Sequence, residues 1–480
     1  MKKSKVYLLL LSLFLSIIPQ PANADTLKDC RIPREDWAIV SLGFPLRSER
    51  LAKIKNPKIL ALPFQLKGEG PRNISQGEMS AFSSAIQNVN DFSSNLNAPE
   101  VVFSKPIEIP WTSNELDQIK INVPNTSGKD FSNSTYGFVE KVIKFSDSTI
   151  DYSGIDAVIL YGNSSSAKQD IAEAMMFTSE QMITNNSKRA DGANWFDPLR
   201  TDEGLISNVV LIYNNPLRSI LTHELMHLYG LTDLYGSPSG PGVLSLMDSN
   251  KLNLLTYEKW ILGWHPDNQV KCLSKVSPSA LTEFSLEFKN YKEVMIITSA
   301  TGASYVVETL TQEGNPTLAF YTVENNQRPP LTLFKDTQSR TFSDIQLATP
   351  YKIGAQLISP EFTLLISDVD SERVTLNLIG NSQASSAQFK ELLSRASTTR
   401  DTKVKEFTER EKILAEAKAV ADLKAKQEAE AKALADLKAK QEAEAKAVAS
   451  MKTTVTCTKG KVIKKVTGTS PKCPAGYKKK

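Results

Sequence analysis

The sequence predicts an α+β domain, then an all-β, sandwich-like domain, then a helical repeat stalk and a small lysine-rich tail with two cysteines. Three observations predict this order. Through residues 25–272, short apolar runs such as DAVILY (156–161) and SNVVLIY (207–213) alternate with helix-like segments, the pattern of a layered domain of mixed elements. From 273 to 380 the helix-like segments stop. EVMIITS, SYVVETL, TLAFYTV, FTLLISD and RVTLNLIG follow one another there, punctuated by Gly, Pro, Asn and Asp as sandwich strands are. Residues 415–452 then repeat the unit AEAKAVADLKAKQE with a period of 14.

At the start, Lys2, Lys3 and Lys5 precede an apolar run from Val6 to Ile18. Pro19 and Pro21 break that run, and Ala22-Asn23-Ala24 suits a small-residue cleavage site. Residues 1–24 therefore read as a signal peptide, with the mature chain beginning at Asp25. The alternative, a retained anchor, meets the difficulty that the run falls short of the roughly 20 residues needed to span a bilayer. The expected destination is outside the cytoplasmic membrane: secreted, or held at the cell wall or surface.

Within 25–272, Ile59–Leu66 reads as a strand, residues 75–96 as a helix and Val101–Ile109 as extended chain. PLRSILTHELMHLYG (216–230) is the strongest helix of this part, with Asn215 as its N-cap and Pro216 in its first turn. Residues 381–452 form the linker and stalk. Residues 381–400, rich in Ser, Ala and Thr, pass into a segment of strong helix formers. Val420/Leu423, Leu434/Leu437 and Val448/Met451 recur at i,i+3, but every other heptad lacks its apolar pair. The repeat thus reads as a solvated spacer, with a coiled coil as the alternative. Helical from 403 to 452, it would extend about 75 Å.

The charge is uneven. Residues 451–480 hold nine lysines and no acid, whereas residues 25–450 hold 45 basic residues against 53 acidic ones. A mildly acidic body argues against nucleic-acid binding, and the tail, 453–480, stands out as a separate device. The expected partners of such a tail are anionic cell-envelope polymers, either wall polymers or lipid headgroups; the alternative is a solubilising end with no partner. Of the four cysteines, Cys457 and Cys473 share one short segment and should pair, leaving Cys30 for Cys272. A competing reading makes Cys30 a thiolate ligand of a metal in a latent form.

The chemistry concentrates in His223-Glu224-Leu225-Met226-His227-Leu228-Tyr229-Gly230-Leu231-Thr232-Asp233. Positions i and i+4 share a helix face, so His223 and His227 can offer ring nitrogens to one metal. Glu224 lies beside them as a base. Gly230 can take a positive φ and end the helix, which lets Asp233 return as a third ligand. Three protein ligands leave a position open for water and substrate. The bland alternative is a buried helix with no metal, which leaves two His and a Glu buried side by side at a cost.

HExxHxxG followed by a ligand three residues on resembles the metzincin signature. That resemblance implies a methionine turn under the metal, for which Met247 in SLMD (245–248) is the candidate. More closely, the chain resembles the immune inhibitor A family of secreted bacterial metallopeptidases. The matching stretches are IDYSGIDAVILYG (150–162), HELMHLYGLTDLYG (223–236), SLMD, LTYEKWILGW (255–264), SYVVETL (304–310) and LAFYTV (318–323). Met226 and Tyr229 depart from the small residues of many relatives. The resemblance covers roughly residues 55–380. It implies a metzincin-like peptidase domain, a Zn2+ ion on His223, His227 and Asp233, Glu224 as general base, and protein or peptide substrates. Calcium is common in that family, and Asp368 and Asp370 are the residues considered for it. His265, the remaining histidine, is a candidate substitute ligand or transition-state donor, with a surface or interface histidine as the alternative, and Tyr257 is a candidate oxyanion stabiliser. The rival function is a surface binding protein on a decayed peptidase fold.

Overall fold

The computed structural model describes residues 24–480 except 71, 121–130, 164–167, 181–188, 190–192, 237, 250, 289–292, 313–314, 326–329, 335–346 and 348–349. The expected signal peptide lies outside the described residues but for its last one, Ala24. The chain divides into two compact units, one ending at Lys403 and one spanning Val404–Lys480.

The first described element of the first unit is helix α1 (Ala24–Cys30). A mixed sheet follows, built from β1 (Lys58–Leu66), β2 (Glu100–Phe103), β3 (Ile107–Ile109), β4 (Ala157–Gly162), β5 (Ile171–Met176) and, after the short hairpin β6 (Leu199–Arg200) and β7 (Leu205–Ile206), β8 (Asn208–Tyr213). The order is β2-β1-β4-β8-β5, with β3 beside the end of β1; all pairs are parallel except β5 on β8. The extended chain expected over 101–109 is split into β2 and β3, which pair with different stretches of β1. Pro106 between them has no N–H to give a ladder.

The period-two alternation of β1, β4 and β8 sorts their side chains to two buried faces. Ile59, Ile159, Val210 and Ile212 meet α2 (Gln76–Ser93) and α5 (Leu217–Tyr229) on one face. Leu60, Leu62, Val158, Leu160, Val209 and Leu211 meet Phe138, Val139, Val142 and Ile143 of α4 (Thr135–Ser146) on the other. Strands covered on both faces carry no polar alternation, which is why they read as plain apolar runs. Ser75 caps α2 through a reciprocal box with Glu78. A short α3 (Ser113–Leu116) and α6 (Thr256–Ile261) complete the helices of this layer.

Two sheets follow. One runs β14 (Leu331–Leu333), β13 (Asn315–Val323), β12 (Ser304–Gln312), β11 (Val294–Ser299), β9 (Val270–Val276); the other runs β10 (Leu281–Glu287), β17 (Arg373–Gly380), β16 (Phe362–Val369), β15 (Gln356–Ile358). Their facing sides share one core, with Ile297, Val307 and Phe320 against Leu364, Ile366 and Leu376. The opposite side of the first sheet, Val294, Ile296, Val306 and Tyr321, joins the core that holds α2 and α5. Strand β9 itself runs across residues 272 and 273 and pairs in parallel with β11. Cys30 is bonded to Cys272 on β9, and Cys457 to Cys473 in the tail. With its thiol in a disulfide, Cys30 is not the metal ligand of the latent-form alternative.

Helix α7 spans Ala387–Ser450, 64 residues, and so begins well before the residue 403 used to gauge its length. The cause is tertiary. Phe389 and Leu392 pack on Leu365 and Ile379 of the second sheet, so helix forms within the stretch that composition marks as linker. From Thr408 to Val448 every residue is exposed. Among the described residues no helix is long and apolar enough to cross a membrane.

Candidate metal centre

Helix α5 starts one residue later than the sequence suggests. Pro216, at φ −69° and ψ 106°, occupies the N-cap position without a side-chain cap, and Asn215 precedes it. The helix then presents His223, Glu224 and His227 toward β5 and the turn at 245–248. Gly230 ends it at φ +124°, where its N–H meets the carbonyls of Met226 and His227. A Cβ there would stand 3.0 Å from Leu46, so both the backbone angle and the space require glycine.

The turn after Gly230 brings Asp233 back onto the helix. Its Oδ1 lies 3.2 Å from Nε2 of His223 and 3.2 Å from Nε2 of His227. Each imidazole donates its Nδ1–H to a backbone carbonyl: His223 to Leu246 at 3.0 Å, His227 to Leu231 at 2.8 Å. Those bonds fix both rings with Nε2 turned toward one point, as carbonyl partners of metal-bound histidines do. Ligand atoms held about 2.1 Å from a tetrahedral metal stand about 3.4 Å apart, close to the spacing seen. The donor set therefore fits a divalent metal, and His223, His227 and Asp233 could hold one. Among the described residues they are the only such group of three.

The electrostatics agree. Burial works against charge on both Asp233 and His227, yet the two imidazoles hold the Asp233 carboxyl well below its usual range. Asp233 and Glu224 in turn raise the His227 imidazolium to about 9. Two carboxylates thus draw positive charge to the point where the three ligand atoms converge. Glu224 is 5 % exposed. Burial raises its carboxyl, opposed by the charges of His227 and His223 and by the N–H of Ala174 on β5.

The turn carrying Met247 ties both arms of the motif together. Leu246 takes the His223 Nδ1–H, and the Met247 carbonyl accepts from the N–H of Leu234, the residue after Asp233. Met247 is fully buried. Beneath it, Ser245 donates its hydroxyl to both carboxylate oxygens of Glu258 and accepts the Met247 N–H. Sequence reasoning missed Ser245 and Glu258, because neither stands out until the fold places them under the turn. It also missed Tyr235, whose ring stacks on His223 with centroids 6.4 Å apart. Burial pushes the Tyr235 phenol up to about 12, with help from the charge of Asp233. Its place two residues after Asp233 was the available signal.

The other expected residues lie elsewhere. Tyr257 is fully buried and donates its hydroxyl to the Leu42 carbonyl at 3.0 Å; it is a packing residue, since the helix α6 face that carries it points into the core. His265 lines a separate cavity with Arg31, Phe44 and Trp260 and is not one of the converging ligands. Asp368 pairs with Lys403, and Asp370 accepts the N–H groups of Glu372 and Arg373. Their oxygens serve an ion pair and a turn, and no calcium-type carboxylate cluster forms there among the described residues.

No protein-family model matches the chain, and no curated protein does. What the site can do is therefore read from its own residues.

Proposed function

We propose that the chain is a secreted zinc-dependent endopeptidase with a metzincin-like catalytic layer. The observation that carries this reading is the convergence of His223, His227 and Asp233 on one point with the Glu224 carboxyl beside it. His223 and His227 would hold zinc through Nε2, and Asp233 through Oδ1. Bound there, zinc supplies Lewis acidity, polarising the scissile carbonyl and acidifying a water. Glu224 accepts the proton of the attacking water and passes it to the leaving amine; a carboxyl raised by burial suits both halves of that transfer. The hydroxyl of Tyr235, whose ring stacks on His223, is the donor best placed to meet negative charge developing on the substrate oxygen.

Peptide is the substrate class that the sheet favours. Among the described residues strand β5 is the last of its sheet, and Ala174 on it is one of the groups acting on the Glu224 carboxyl. An extended chain can pair along such an edge and bring its carbonyl to the site. Export fits the two disulfides, which persist in oxidising compartments.

The test is metal analysis of the purified full chain together with cleavage of casein, with and without a chelator. One zinc per chain and chelator-sensitive cleavage are expected. Stoichiometric zinc without hydrolysis of any peptide library would favour the rival reading, a binding protein on a decayed peptidase fold.

A further inference from the structure

The tail forms a small antiparallel sheet in the order β19 (Val462–Gly468), β18 (Thr453–Lys459), β20 (Lys478–Lys479), closed by Cys457–Cys473. All nine lysines of residues 451–480 are exposed, and the segment has no acid to neutralise them. The register fixes where they go. Lys464 and Lys479 flank Cys457 on one face of the sheet. Lys465 and Lys478 lie on the other, beside Thr456 and Thr458. With strand β18 between the two lysines of each pair and no acid in the segment, both faces of the sheet carry positive charge that an anionic surface would attract.

A second observation concerns the hairpin tip. Gly460, at φ +60°, opens a two-residue turn between Lys459 and Val462. Immediately after it, Val462 is 57 % and Ile463 60 % exposed. Alternation along β19 puts Val462 on the face of Lys464 and Ile463 on the face of Lys465, so both bare aliphatic side chains meet a surface together only where the hairpin approaches it end-on. A soluble polyanion would engage the lysines and leave the aliphatic pair wet. A bilayer with anionic headgroups satisfies both, because apolar side chains enter the acyl boundary while lysines stay with the phosphates.

We propose that the tail docks this protein on an anionic lipid bilayer through the Val462–Ile463 tip and its surrounding lysines. The test is flotation of the full-length protein with vesicles of phosphatidylcholine alone or of phosphatidylcholine with phosphatidylglycerol. Partition onto the anionic vesicles alone is expected, and it weakens as salt rises. Replacing Lys459, Lys461, Lys464 and Lys465 together by Gln should lower it at least about a hundredfold, from roughly fivefold per lysine. Val462→Ser with Ile463→Ser, at unchanged charge, should weaken it on the order of tenfold. A non-reducing peptide map showing Cys457–Cys473 checks that both variants keep the tail closed. Equal partition onto neutral and anionic vesicles, or no change in the lysine variant, overturns the proposal. So does capture by soluble poly(glycerol phosphate) without flotation, which would make the tail a polymer binder, or indifference to the loss of Val462 and Ile463.

Discussion

Helix α5 has 13 residues and helix α7 has 64, yet the shorter one is the more firmly determined by its surroundings. In α5, Leu221, Leu225, Met226, Leu228 and Tyr229 are each no more than 2 % exposed, and its His, Thr and Tyr residues are mediocre helix formers. Tertiary packing stabilises it. In α7, beyond the first turns that Phe389 and Leu392 anchor, the residues from Thr408 to Val448 are exposed and rich in Ala, Glu and Lys. Intrinsic propensity carries that stretch. The difference teaches where geometry can be exact enough for chemistry: a helix enclosed by its neighbours holds ligands in place, whereas a helix standing on propensity is a spacer that tolerates change.

The largest expected effect that would break this contrast lies at Glu224. Glu224→Gln should lower peptide hydrolysis by roughly 10³- to 10⁴-fold while zinc content stays at one per chain; near-normal turnover would remove the proposed base. Next comes metal-linked stability. Zinc at about a thousand times its Kd should raise unfolding free energy by about 4 kcal/mol, seen as a shift in thermal melting. His227→Ala and Asp233→Ala should lose most of that shift, and a full shift in Asp233→Ala would move the third ligand elsewhere.

A pH effect should follow from the carboxyls under the turn. Burial raises Glu258 to about 8 and Glu308 to about 7. Glu258 holds Ser245, and Glu308 accepts from the Tyr257 N–H and the Tyr321 hydroxyl. Their folded-state values lie above the unfolded one of about 4.3. Between about pH 4 and pH 8 the unfolded chain therefore binds fewer protons than the folded one, and stability falls as pH rises. Glu308→Gln should flatten that slope in denaturant titrations across the window, by up to about 3 kcal/mol at its upper end. A slope unchanged in Glu308→Gln would show that this carboxyl ionises freely in the fold.

Gly230→Ala sharpens the comparison further. Its positive φ and its contact with Leu46 predict a loss of about 1–2 kcal/mol, together with weaker zinc binding, because the turn returning Asp233 must shift. The smallest effect belongs to α7. Deleting one repeat, residues 429–442, should change stability by less than about 0.5 kcal/mol and leave hydrolysis untouched; a marked loss of either would mean that the exposed repeat has a partner.

Local spacing by itself determined much of this protein. Two histidines four apart share a helix face, Gly230 ends that helix, apolar β-branched runs make buried strands, and the 14-residue repeat makes a helix. Each follows from backbone geometry and propensity over a few residues. Tertiary structure decided the rest. Whether Asp233 turns back to within 3.2 Å of both imidazoles depends on a turn held by Leu246 and Met247, which rest in turn on Ser245 and Glu258. Tyr235 reaches the site and Tyr257 does not, although both are tyrosines near the motif, because one follows the returning loop and the other sits on the core face of α6. The start of α7 at Ala387 was likewise set by a sheet surface that its own composition does not announce. Contacts between residues far apart in sequence depend on how layers pack, and no short window of sequence contains that information.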